Sequence, residues 1–144
     1  MNSNRQTLSK SERLKSYKRI RLLFAEGQKF KVLPLLVFYQ IEQKTEVDFK
    51  GEALQMGVSV GARYFKKAVD RNLLKRRIRE AYRKNNQQLK ETLSIKNRQM
   101  AVFFVYTQNE ICDYAQIAVS MNKAIQLLEE KIIGKPDNAA DLNP

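Results

Sequence analysis

The run from Lys66 to Lys84, KKAVDRNLLKRRIREAYRK, has no proline or glycine and is dense in strong helix formers, which predicts a helix of about five turns. At about 100° per residue, Asn72, Lys75, Arg76, Arg79 and Arg83 fall within one arc, with Arg71 at its border. Leu74, Ile78, Ala81 and Tyr82 fall on the adjoining face, spaced i, i+4, i+7, i+8 as a buried stripe requires. Any fold must therefore dock this helix by its apolar stripe and leave a comb of cations outside. A run of charge is often no more than a solvated helix face, so the rest of the charge decides how to read this one.

The net charge is +12 over 144 residues, and it is concentrated. Residues 1–31 contribute +7 and residues 63–84 contribute +8, whereas 32–62 and 85–144 come to −2 and −1. Positive charge packed this densely repels itself in a compact domain unless a polyanion lies against it. Nucleic acid is the first candidate partner. A membrane surface is the second, but neither basic segment carries the apolar face with aromatic anchors that enters lipid. No apolar run is long enough to span a bilayer and the first thirty residues show no signal-peptide pattern, so a soluble, cytoplasmic protein is expected. The apolar fraction of 43% suffices for one core, which predicts a single domain over 1–133 and a disordered polar tail over 134–144. The lone Cys112 has no partner for a disulfide and reads as a core thiol.

Along the chain, residues 1–8 are polar, Ser9 and Glu12 have capping-box spacing, and Ser16 suits the N-cap of a helix from Tyr17 to Glu26 closed by Gly27. That helix shares a face among Ile20, Leu23 and Phe24 and carries Lys18, Arg19 and Arg21 elsewhere. VLPLLVFYQI, from Val32 to Ile41, reads as a strand whose Pro34 confines its start to an edge or bulge. Glu42 to Gly51 reads as a loop, and Ala53 to Val60 alternates as a second strand pairing with the first. Asn85 and Asn86 mark an end to the basic helix, or a kink if it continues through Leu89. Met100 to Tyr106, MAVFFVY, reads as a central strand, and Ile111 to Ile133 as an amphipathic helix with Asp113 near its start, stopped by Gly134 and Pro136. The order is helix, strand, strand, helix, strand, helix: an α+β sandwich of one sheet and packed helices.

Catalytic residues are not evident. The sequence has no histidine, no glycine-rich phosphate loop, no nucleophile elbow and no metal-ligand spacing, and Glu42, Glu46, Asp48, Glu129 and Glu130 read as solvating groups. The residues present suit RNA. Arginine forks and lysines reach phosphates, and Asn72 among them can bond a base edge or a 2′-hydroxyl, or equally brace the neighbouring loop. Tyr17, Phe24, Phe38 and Tyr39 lie near basic residues, the combination on which a single strand stacks. With no heptad or helix-turn-helix pattern beside the basic helix, RNA is favoured over duplex DNA.

The pattern Lys67-Ala68-Val69-x-Arg71-Asn72-x-x-Lys75-Arg76-x-x-Arg79-Glu80 resembles the signature helix of the bacterial ribonuclease P protein subunit. Val58-Ser59 ahead of it, and Leu8 to Leu14 with Tyr17 to Gly27, resemble other segments of that family, and the resemblance spans about residues 8–131. It implies an α-β-β-β-α-β-α two-layer sandwich with a left-handed βαβ crossover, the ribosomal protein S5 domain 2-like fold. It implies a non-catalytic protein subunit of an endoribonuclease whose larger RNA performs magnesium-dependent removal of the 5′ leader from precursor tRNA, with magnesium held mainly by the RNA and none by the protein alone. The residues matched to the catalytic RNA are Lys67, Arg71, Asn72, Lys75, Arg76, Arg79 and Arg83. Those matched to the leader, held between the first helix and the sheet, are Ile20, Phe24, Phe38 and Tyr39.

The chain departs from the family pattern in four places. Leu73 stands where a second arginine is usual, Arg77 is an added cation, Gly61 to Lys66 is longer by about three residues, and Ile20 replaces an aromatic. From composition alone, a structural RNA-binding protein of the ribosome or its assembly is the alternative.

Overall fold

The computed structural model describes residue 8 and residues 10–43 and 52–134. Ser9, residues 44–51 and the tail from Lys135 lie outside them, so the expected capping box at Ser9, the loop carboxylates Glu46 and Asp48 and the tail do too. The Ser16 hydroxyl accepts the N–H of Arg19 at 3.3 Å, and helix α1 runs Tyr17–Glu26 as its cap predicts. Its closing residue, Gly27, has an ordinary φ of −74°. Glycine is needed there for space: a β-carbon would come within 2.5 Å of the Leu23 carbonyl oxygen and 3.0 Å of that of Tyr39.

The single strand expected from Val32 to Ile41 is instead part of a hairpin. Strands β1 (Gln28–Val32) and β2 (Leu35–Gln43) pair antiparallel and turn at Leu33-Pro34. Pro34 lacks an N–H for the ladder, so it sits in the turn, and its carbonyl accepts the N–H (2.9 Å) and hydroxyl (3.0 Å) of Thr107. The Leu33 carbonyl accepts the Ser120 hydroxyl at 2.6 Å, pinning the turn to the last helix. In β1 only Phe30 and Val32 pack toward the core, while Lys29 and Lys31 alternate with them, too short a pattern to stand out in the sequence.

Strands β3 (Leu54–Val60) and β4 (Arg98–Tyr106) complete a sheet of order β1-β2-β4-β3. The expected direct pairing of the 32–41 and 53–60 segments does not occur, because β4 lies between them, antiparallel to β2 and parallel to β3. Its nearly continuous apolar sequence requires both faces and both edges to be covered, and the interior position supplies them. A parallel neighbour demands a long crossover. It is made by α2 (Ala68–Asn85) and α3 (Gln87–Lys96), separated at the buried Asn86. Helix α4 (Tyr114–Ile133) begins later than Ile111, at a capping box in which Asp113 accepts the Gln116 N–H (2.9 Å) and Gln116 accepts the Asp113 N–H (3.0 Å).

The architecture is the expected α+β one, with its helices divided unequally between the sheet faces. Leu35, Val37, Met56, Val102, Phe104 and Tyr106 meet Leu74, Ile78, Tyr82, Leu93, Ile117 and Met121 in the main core beneath α2, α3 and α4. Truncating Leu74 or Ile78 to alanine costs about 2–5 kcal/mol at such a site. The other face is covered only in part by α1, through a smaller cluster of Leu14, Leu23, Ala101 and Phe103 with Ile20, Phe38 and Val105 against it. The half-covered face and the outer edge of α2 are the surfaces left for function.

Candidate nucleic-acid interface

Helix α2 buries Leu74, Ile78, Ala81 and Tyr82, so its stripe fixes which side faces outward. Lys67 is the N-cap residue and is exposed, as are Asn72 and Arg76, with Lys75 half-buried beside them. Lys67, Lys75 and Arg76 have no carboxylate partner among the described residues. Arg71 is committed inward: its guanidinium donates to the carbonyls of Phe65 (2.7 Å) and Lys66 (2.9 Å) and braces the loop that leads into the helix. Arg83 makes a fork with Glu80 (2.9 and 3.2 Å), and Lys84 approaches the same carboxylate at 3.7 Å. The hydrogen bond from Arg83 holds the Glu80 carboxyl below its usual range. At these exposures the pair contributes about 0–1 kcal/mol, so a phosphate competes for Arg83 at little cost.

Arg79 has a neighbour that lies far from it in sequence. The segment from Lys10 to Ser16 runs beside β3, where Leu14 donates its N–H to the Met56 carbonyl at 2.8 Å and Arg13 forms a parallel bridge with Met56. The nearby Glu12 carboxylate is engaged by Lys90 of α3 at 3.0 Å. The Arg13 charge lies near enough to Arg79 to act on it, and the buried Arg13 Nε has no hydrogen-bond partner among the described residues. Burial, and then the Arg13 charge, lowers the pKa of Arg79. Two like charges near each other repel, and an anion between them relieves that repulsion. No periodicity could have joined Arg13 to α2, because their meeting depends on where the segment lies along β3.

Arg77, the extra cation one turn after Leu73, donates to the Cys112 carbonyl at 2.6 Å, on the flank of α2 away from Asn72 and Arg76. The Tyr106 hydroxyl organises the same loop, donating to the Glu110 carbonyl (2.6 Å) and accepting the Cys112 N–H (3.0 Å). Burial is the first cause that pushes this phenol up to about 12.

On the half-covered sheet face, Phe24 of α1 meets Phe38 of β2 (ring centroids 4.6 Å apart) and Phe103 of β4 (5.0 Å, edge to face). Ile20 packs on the same cluster, so Ile20, Phe24 and Phe38 are brought together. Tyr39 is not among them. Side chains alternate along β2, and Tyr39 points into the main core at 5% exposure, its hydroxyl donating to Gln28 Oε1 at 3.1 Å. Burial raises its pKa. In exchange the face gains Lys29, paired with Phe38 in register and with Nζ 5.8 Å from that ring's centroid, and Lys31, paired with Leu36. Both were hidden with β1. Beyond the rings, Lys31, Leu36, Val105 and Ser59 form a row across the four strands.

The two surfaces meet at Arg13 and Leu14. Arg13 is bridged to Met56 of β3, near enough to α2 for its charge to act on Arg79, and Leu14 packs with Phe103 and Leu23 under α1. Among the described residues no three carboxylate or thiol groups converge, and none of their helices is long and apolar enough to cross a membrane. An α+β domain with a cationic helix edge beside a half-covered, aromatic-lined sheet face presents a surface suited to an extended polyanion. A family model described as Ribonuclease P matches residues 8–129, and the chain belongs to that family of ribonuclease P proteins.

Similarity to individual members agrees. The chain is 36% identical over 118 residues to the ribonuclease P protein component of Porphyromonas gingivalis strain W83, covering 82% of this chain and 83% of that one. It is 39% identical over 83 residues to the corresponding component from Chlorobium phaeobacteroides, covering 58% and 56%. The fold is shared with the RNase P protein of Thermotoga maritima (TM-score 0.59, 19% identity, 81% of this chain and 96% of that one). It is shared likewise with that of Staphylococcus aureus (TM-score 0.58, 17% identity, 81% and 94%). As a ribonuclease P protein component, the chain is part of an endoribonuclease complex that has an RNA partner.

Proposed function

We propose that this protein holds the catalytic RNA of ribonuclease P along α2 and the 5′ leader of precursor tRNA in the groove between α1 and the sheet. The observation that carries this reading is the segment linking the two surfaces, in which Arg13 is bridged to Met56 of β3 with its charge acting on Arg79 of α2, and Leu14 packs beneath α1. Lys67, Asn72, Lys75, Arg76 and Arg79, joined by Arg13, face the catalytic RNA, and Arg83 joins them when phosphate displaces Glu80. Arg71 acts by holding the loop before the helix. Ile20, Phe24 and Phe38, with Lys29 and Lys31, face the leader, whose unstacked bases and phosphates match apolar rings flanked by cations.

Such contacts lower the repulsion among catalytic RNA, substrate and bound cations, so that substrate and metal bind at lower salt. The cationic donor set does not fit a magnesium ion, so this chain's part is confined to binding and charge. Hydrolysis then belongs to the RNA with its magnesium, in the cytoplasm. Crosslinking the protein to RNA in cells tests the reading. The ribonuclease P RNA and precursor tRNAs are expected as the attached species; ribosomal RNA alone would support a ribosomal role instead.

A further inference from the structure

Helix α1 has two flanks, and its contacts tell them apart. Arg19 donates to Gln55 on β3, and with Leu22 it lines a hollow reaching Gln99. Phe24 reaches the other way, to Phe38 and Phe103. At about 100° per residue, Tyr17 lies close to Phe24 and on the far side from Arg19 and Leu22. It therefore belongs to the groove flank, on the stripe Tyr17, Ile20, Phe24, toward the uncovered row of Leu36, Val105 and Ser59.

The rings on this face differ in what they have left to offer. Phe24, 44% exposed, is engaged with both Phe38 and Phe103, and Phe103 is 7% exposed. Ile20 has no ring. Tyr17 is 74% exposed, and the Arg21 guanidinium sits over it, 5.6 Å from the ring centroid. A cation over a ring restrains it, and the opposite π-face stays open to a planar group. Arg21 is at the same time placed to meet a phosphate beside that group.

We propose that Tyr17 stacks on a base of the single-stranded 5′ leader, with Arg21 holding the ring and pairing with the adjoining phosphate. The inference rests on the groove being the leader site. A single strand is the occupant because bases inside a duplex are already stacked and cannot receive the ring. An aromatic contact with substrate is then made at the N-terminal turn of α1, beside the phenylalanine cluster that floors the groove.

The test uses the protein assembled with its RNA subunit and compares equilibrium binding of leader-bearing precursor tRNA with that of tRNA lacking a leader. Tyr17→Ala and Tyr17→Leu are expected to weaken leader-bearing substrate about five- to tenfold, the lower part of the range for one base stacked on one ring. Tyr17→Phe should bind as the parent does, and leaderless tRNA should not distinguish any of them. Tyr17→Leu binding as tightly as Tyr17→Phe would overturn the inference, as would equal losses with and without a leader. Phe38→Ala separates the role of Tyr17 from that of the groove: if it weakens leader-bearing substrate while the Tyr17 variants do not, only the role of Tyr17 fails. If neither position affects the leader, the groove itself has been misassigned.

Discussion

Gly57 of β3 lies directly opposite Phe103 of β4, and a β-carbon on Gly57 would fall 2.5 Å from the Phe103 ring. The missing side chain is what leaves room for that ring to lie over Gly57 and support Phe24, which in turn meets Phe38. Gly57→Ala should destabilise the protein by about 1–3 kcal/mol through overpacking, read as a lower urea midpoint. It should also weaken binding of leader-bearing substrate, since the floor of the groove must move.

Arg13 and Arg79 make the complementary case, two like charges that disfavour each other in the free protein. Arg13→Gln should leave stability within about 0.5 kcal/mol of the parent or raise it, because a like charge is removed. Its affinity for the catalytic RNA should fall, and the slope of log K against log salt should shrink by about one, as expected when one phosphate is no longer neutralised. Arg76→Ala, at an exposed position without an ion pair among the described residues, should show the same change in slope with no change in the unfolding midpoint.

Arg77 should behave in the opposite way. Removing it leaves the Cys112 carbonyl without its donor, so Arg77→Met should cost about 1–2 kcal/mol of stability. The salt slope of RNA binding should match the parent's. A reduced slope would show that Arg77 faces the RNA after all.

Neighbours on β2 provide a paired test. Phe38→Leu should lower affinity for leader-bearing substrate, whereas Tyr39→Phe, which loses only the hydrogen bond to Gln28, should cost about 0.5–1.5 kcal/mol of stability and leave leader affinity unchanged. Binding titrations beside thermal melts read both quantities.

The elements legible in the sequence were those whose periodicity is self-sufficient. The α2 stripe at Leu74, Ile78, Ala81 and Tyr82, the Ser16 cap and the apolar run of β4 each carry enough local signal to be placed. The hairpin was not legible, because β1 has two inward residues and is defined by its partner and by the turn at Pro34. Strand order was hidden for a similar reason, since nothing in residues 32–41 or 53–60 says that a strand from residue 98 onward will come between them. The charged edge was readable as a set but not residue by residue. Whether Arg71, Arg77 and Arg83 face solvent or a carbonyl or carboxylate depends on the loop and flank each one meets. The choice between Phe38 and Tyr39 turned on strand parity, which only the register of β2 against β4 fixes.

Cleavage of precursor tRNA by the reconstituted ribonucleoprotein measures the docking role most directly. The protein alone is expected to cut nothing, and the RNA subunit alone to require high magnesium. Adding the protein should restore cleavage at low magnesium, and an Arg13→Gln, Arg76→Ala double variant should shift the requirement back toward that of the bare RNA. Cleavage by the protein without RNA, or an RNA subunit whose magnesium requirement is the same with and without the protein, would contradict it.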